Sequence, residues 1–177
     1  AFVAVPLAGM TLAQMGAEVI RFDRIGGGLD AGRLPLAPSG QSLFWAGLNK
    51  GKKSIAVDMK SPEGRELVTR IITAPGPDAG MFLTNLRVRG WMDYETLSQF
   101  REDLIMVTLM GDRHGRPQVD YTVNPALGIP DITGPEGWPD PVANALPAWD
   151  CLAGNMVVSA LLAAERHRLR HGVGQDV

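Results

Sequence analysis

Leu104-Ile105-Met106-Val107-Thr108-Leu109 is a run of apolar and β-branched residues with no polar alternation. A run this short, without the alternation of a half-exposed strand, fits a strand covered on both faces, which is the environment of a parallel sheet flanked by helices. The neighbouring segments agree with that reading. Upstream, Asp93 to Arg101 reads as a helix with Asp93 as its cap, and Met81 to Thr84 as a strand. Further back, Ser61-Pro62-Glu63-Gly64 opens a helix, with Ser61 capping, Pro62 at the first helical position and acids in the first turns. That helix is expected to run to about Thr73 and to bury Leu67, Ile71 and Ile72. Ser54 to Asp58 and Glu18 to Phe22 read as two more strands, and Met10 to Ala17 as the end of a short helix.

Helical and extended segments that alternate in this way define an α/β chain, here a Rossmann-like parallel sheet with flanking helices. Downstream the pattern changes. Residues 111–149 contain twelve Gly or Pro and one candidate helix, around Val119 to Leu127. A loop of this length in a compact domain points to function. From Asp150 to about Arg168 a strong helix returns, with Leu152, Met156, Val157, Ala160, Leu161 and Ala164 at helical spacing and a charged end at Glu165 to Arg168.

Composition removes several classes of function. Seventeen basic residues against nineteen acidic ones give a net charge of −2, and no basic tract exists to follow a phosphate backbone, which disfavours nucleic acid as a partner. No apolar run approaches the roughly 20 residues that cross a bilayer, so no membrane partner is expected. Cys151 is the sole cysteine, which excludes an internal disulfide and fits a reducing, cytoplasmic setting. His114, His167 and His171 lack the companions that a metal site requires, and no metal is expected.

Three motifs have competing readings. Gly26-Gly27-Gly28 follows a strand but does not open into a helix, so the dinucleotide fingerprint is absent. Asn49-Lys50-Gly51-Lys52-Lys53-Ser54 lacks phosphate-loop spacing, and its charges either meet phosphates singly or form a solvated turn. Asp150 interrupts the apolar stretch Leu146 to Gly154 at the start of the last helix. Stereochemistry alone favours a helix cap, whereas a carboxylate held at a helix N-terminus can also serve as a nucleophile.

Several segments, in order along nearly the whole chain, resemble the class III CoA-transferase family. They are Met15 to Asp23, Asn49 to Lys60 continuing into Ser61-Pro62-Glu63-Gly64, Thr84-Asn85-Leu86-Arg87, Pro147-Ala148-Trp149-Asp150 and His171-Gly172-Val173-Gly174-Gln175. The resemblance implies an enzyme in which Asp150 is the nucleophile that attacks an acyl-CoA thioester, giving an aspartyl anhydride and free CoA thiolate. It implies CoA contacts at Arg24, at Val57, Asp58, Met59 and Lys60, and at Asn85, Leu86 and Arg87. Coenzyme A enters as part of the substrate, with no permanently bound cofactor, and a homodimer is implied for the full-length protein. Leu7 to Gln14, Phe44 to Lys52 and Val119 to Pro125 point further, to a member acting on a dicarboxylic acyl-CoA and moving CoA between two carboxyl carbons of one acid. The alternatives are intermolecular transfer to a second acid, or a non-catalytic CoA-binding fragment. Racemases of the family carry a histidine base where this chain has Val119, which disfavours racemization, and the family's formyl-CoA transferase carries polar residues where this chain has Ala1 and Val3, which disfavours its particular substrate. The apolar opening without an initiator Met, and the stop soon after a strong helix, lead to the expectation that residues 1–177 are a partial large domain, truncated at both ends. The first strand would precede Ala1, and a glycine-rich lid and second domain would follow Val177.

Overall fold

The computed structural model describes residues 2–177, and Ala1 lies outside them. Helix α1 (Ala4–Gln14) leads into strand β1 (Ile20–Arg24), followed by α2 (Leu43–Leu48) and β2 (Lys53–Val57). Next come α3 (Pro62–Ile72), β3 (Met81–Thr84), α4 (Tyr94–Leu97) and β4 (Ile105–Thr108). Helix α5 (Asp120–Ala126), a 3-10 turn at Ile129–Ile132, α6 (Ala148–His171) and a short β5 (Gln175–Asp176) complete the chain. Every strand pairing is parallel. β1 pairs with β2, Ile20 opposite Lys53, and β4 lies between β3 and β5, with Met81 and Gln175 both opposite Ile105. The two sheets are joined through side chains, with Phe22 of β1 stacked on Phe82 of β3 at 6.0 Å.

The run at 104–109 meets its expectation: Ile105, Met106, Val107 and Thr108 are all buried. One face of β4 packs Ile105 and Val107 against Ala8 and Leu12 of α1 and Val157, Val158, Leu161 and Ala164 of α6. Leu104 and Met106 join the opposite cluster, with Val57, Val68, Ile72, Phe82, Met92 and Leu97. Caps form as the sequence implies. Ser61 accepts from the Gly64 amide, and Asp93 accepts from the Thr96 amide at 2.8 Å.

Three expectations are corrected. Helix α3 buries Gly64, Val68 and Ile72, one residue per turn, and leaves Leu67 40% exposed. The reason is Gly64, where a Cβ would lie 2.0 Å from the Asp58 carbonyl oxygen, so the helix turns its glycine edge to the strand. In α6, Leu152 and Met156 are exposed, because α1 crosses at Gly154, where a Cβ would come 2.9 Å from the Ala4 oxygen. Arg168, read as part of a charged helix end, is buried, and its guanidinium donates to the carbonyls of Pro77, Ala79, Gly80 and Asp103. Those carbonyls sit just before β3 and β4, so they satisfy the cation in place of water.

Candidate active site

The placement of Arg168 fixes the direction of α6. Its C-terminal end lies at the amino ends of β3 and β4, so the helix runs back against the strands and its N-terminus points toward their carboxyl ends. Between Arg168 and Asp150 it rises about 27 Å, whereas a four-residue strand spans about 13 Å. Asp150 therefore stands beyond the carboxyl edge of the sheet, the edge at which open parallel sheets bind ligands.

The cap of α6 is not Asp150. The helix starts after Pro147, and no side chain of the adjoining residues closes its first turn. The carboxylate that does so arrives from α5: Asp120 Oδ2 accepts from the Trp149 amide at 2.8 Å and from the Asp150 amide at 3.4 Å. One turn along α5, Asn124 is buried and its Oδ1 accepts from the Trp149 indole N–H at 2.8 Å and from the Asn144 side-chain amide at 3.1 Å. Asp120 and Asn124, spaced i and i+4, form one face of α5 that grips the start of α6. The Asp150 carboxylate accepts no hydrogen bond among the described residues and is half-buried. Its acid form is favoured above the ordinary carboxylate range, chiefly by burial, then by the like charge of Asp120, against a smaller opposing pull from Arg33.

The other sequence-derived residues gather at strand carboxyl ends. Arg24 closes β1 and is exposed, with its Nε donating to the Gly27 carbonyl. Val57 closes β2, but its side chain lies in the core, which leaves only its backbone for a ligand. Asp58 accepts from the Lys60 amide in a tight turn, and Met59 packs partly against the core. Asn85, Leu86 and Arg87 follow β3, where the Leu86 amide donates to the Thr84 hydroxyl. The β2 and β3 loops are tied together by Arg65, which donates to the Met59 carbonyl and lies 5.3 Å from the centre of the Trp91 ring. Beside Arg87 a cleft of about 500 Å³ is lined by Thr108, Met110, Asp112, Arg113, Gly115 and Val177. The Thr108 hydroxyl there is buried and has no hydrogen-bond partner among the described residues. Asp150 does not line this cleft, and no hydrogen bond joins it to Arg24, Lys60 or Arg87.

In the lysine segment before β2, Lys50 and Gly51 form an exposed turn, as one of the two readings expects, whereas Lys52 is turned inward. Lys52 Nζ donates to the Pro6 carbonyl at 2.7 Å, the Leu48 carbonyl at 3.0 Å and Asn49 Oδ1 at 2.7 Å, which pins α1 to the end of α2. Burial first, and the Arg21 charge second, lower its ammonium to about 8. Arg21 in turn holds buried Asp30 at 2.7 Å and Asp23 at 2.7 Å, organising the glycine-rich loop after β1. The loop is thus tied to β1 by an internal ion-pair network.

Fold and site together define a parallel α/β domain that presents an uncapped aspartate at a helix N-terminus over the carboxyl edge of its strands. The chain belongs to CoA-transferase family III, whose family model matches residues 1–177. It is 60% identical to the 2-methylfumaryl-CoA isomerase of Chloroflexus aurantiacus over its whole length, which is 44% of that protein. It is 34% identical to a succinate–glutarate CoA-transferase of Agrobacterium fabrum, covering 97% of this chain and 46% of that one. A CAIB/BAIF family protein from Brucella suis superposes with a TM-score of 0.86 at 28% identity, covering 99% of this chain and 49% of its own. The chain thus spans about half the length of the curated relatives it matches.

The sequence did not single out Asp120 and Asn124. Their signal was a polar i, i+4 pair on an otherwise weakly amphipathic helix, visible only once that helix is known to face Trp149.

Proposed function

We propose that the protein of which this chain forms part is an acyl-CoA enzyme that moves CoA between carboxyl groups of a dicarboxylic acid, with Asp150 as nucleophile. Identity of 60% to an isomerase of 2-methylfumaryl-CoA supports transfer within one acid, from its C1 to its C4 carboxyl. The observation that carries the reading is the Asp120 cap, which leaves the Asp150 carboxylate free of helix duty.

In the proposed reaction an Asp150 oxygen attacks the thioester carbon, a C–O bond forms, the C–S bond breaks and CoA leaves as thiolate. The product is a mixed anhydride. The thiolate then attacks the Asp150 carbonyl carbon of that anhydride, giving an aspartyl thioester and the free dicarboxylate. The second carboxylate repeats the sequence in reverse, expelling CoA thiolate to form a new anhydride, and the thiolate finally attacks the acyl carbon to release Asp150. No proton is gained or lost overall. Partial burial strengthens the nucleophile by removing its hydration, and the helix fixes its position. Arg24, the backbone at Val57, Asp58 to Lys60 and Asn85 to Arg87 would hold the CoA moiety, with the cations meeting phosphates. Coenzyme A comes and goes with the substrate, and residues 1–177 form part of the large domain of a homodimer.

The test uses the full-length protein with a dicarboxylic mono-CoA thioester whose acid carbons are isotopically labelled, in the presence of an unlabelled acceptor acid. CoA should appear on the other carboxyl of the labelled acid. Label-free thioester of the added acid would instead indicate transfer between two acids, and an active Asp150→Ala variant would reject the nucleophile.

A further inference from the structure

Transfer between two carboxyls of one acid requires that the acid be held at its other end while its first carboxyl reacts. Arg33, on the long loop between β1 and α2, has the geometry for this. Its guanidinium carbon lies over two aromatic rings, 4.7 Å from the centre of Phe2 and 4.6 Å from that of Phe44. Its backbone is fixed as well: the Arg33 carbonyl accepts from the hydroxyl of buried Ser42, which also caps α2 by accepting from the Trp45 amide. Contact with two rings restrains the guanidinium plane, and the N–H fork in that plane matches a carboxylate.

That fork is unused. Arg21, Arg101 and Arg168 are held by carboxylates or carbonyls of the chain, whereas the Arg33 side chain donates to no acceptor among the described residues. It lies against Phe2, two residues before α1, and the first turn of α1 meets α6 at Gly154, one turn past Asp150. The cation whose charge reaches the Asp150 carboxyl is Arg33. Ordering a flexible, exposed arginine costs entropy, and cation–π contact with two rings offsets part of that cost before an anion arrives.

Building on the proposed CoA transfer, we infer that Arg33 selects dicarboxylic substrates, its guanidinium edge pairing with the carboxylate that is not bonded to Asp150. The same contact would retain the free dicarboxylate between the two halves of the reaction.

The experiment measures exchange of isotopically labelled CoA into two thioesters by the full-length protein: a dicarboxylic mono-CoA thioester, and its isosteric ω-carboxamide, which lacks the second charge. Wild type should favour the free acid in kcat/KM by about 100-fold, the scale of a charge-assisted bidentate contact. Arg33→Gln replaces the cation by a neutral planar amide and should bring the ratio to within about threefold. Should Arg33→Gln not fold, Arg33→Lys, with a charge but no fork, should retain a ratio of about 10. A ratio near unity in wild type, or an undiminished ratio in either variant, overturns the assignment. Exchange that shows no acid preference sinks the Arg33 role alone. Absence of exchange with either thioester, or exchange by Asp150→Ala, sinks the CoA-transfer reading and this inference with it.

Discussion

Replacing Asp120 with Ala separates a helix cap from a nucleophile. Asp120 Oδ2 receives the Trp149 amide at 2.8 Å and, more weakly, the Asp150 amide at 3.4 Å. Loss of a side-chain cap costs about 1 kcal/mol, and loss of a negative charge at a helix N-terminus adds about 0.3–1 kcal/mol. Removing the like charge beside Asp150 returns a few tenths of that, on the scale of a screened pair. The net expectation for Asp120→Ala is a loss of about 1–1.5 kcal/mol, or roughly 2–6 °C in Tm for a chain of this size. Asp120→Asn keeps an acceptor for both amides and should lose only about 0.5 kcal/mol. Its charge is gone, however, so the acidic limb of kcat/KM against pH should move to lower pH as Asp150 ionises more readily. Asp150→Ala, by contrast, removes no cap. Thermal unfolding by circular dichroism, with pH profiles on the full-length protein, measures all three. If Asp150→Ala proves as destabilising as Asp120→Ala, Asp150 is the cap and the reasoning fails.

Further outcomes follow from the same contacts. Burial and Asp120 raise the folded-state pKa of Asp150, so the folded chain binds its proton more tightly than the unfolded one; stability declines as pH rises from the ordinary carboxylate value through the raised one. At neutral pH Asp150→Asn should therefore be more stable than wild type by up to about 1 kcal/mol in urea titration, while being inactive. Gly154→Ala places a Cβ 2.9 Å from the Ala4 oxygen and 3.1 Å from the Leu7 side chain, where α1 must give way. Strain of about 1–3 kcal/mol outweighs the helix-propensity gain of about 1 kcal/mol, and urea titration should show a net loss. Lys52 releases its proton near 8 in the folded chain and near the ordinary lysine value of about 10.4 when unfolded, so the unfolded chain binds more protons between those values. Over that window wild type should gain roughly 1–2 kcal/mol relative to Lys52→Met, after allowance for solvent screening.

The fold was legible where local chemistry decides it. The unbroken run at 104–109, the Ser61-Pro62 helix start and the Asp93 cap all read correctly, because a buried strand and a helix terminus are specified by residues close in sequence. Helix α6 was legible as a helix but not in its facing. It carries apolar residues around most of its circumference, and only the crossing of α1 at Gly154 decides that Val157 and Leu161 go inside while Leu152 and Met156 stay out. Lys52 and Arg168 looked like surface charges because their carbonyl acceptors come from distant segments: Pro6 for the first, residues 77–80 and 103 for the second. The candidate site divides the same way. Asp150 stood out as a polar intrusion into an apolar stretch, but its cap comes from thirty residues upstream, beyond the reach of any local capping pattern. Arg33 carried no sequence signal of its own, since the rings it lies over are on two other segments.

Chemical trapping decides whether Asp150 becomes acylated. Full-length protein incubated with a dicarboxylic mono-CoA thioester and hydroxylamine should yield, by peptide mass spectrometry, a hydroxamate at Asp150 that forms only when the thioester is present. An unmodified Asp150 after turnover in hydroxylamine, or a thioester-dependent hydroxamate at another carboxylate such as Asp120, would contradict the mechanism.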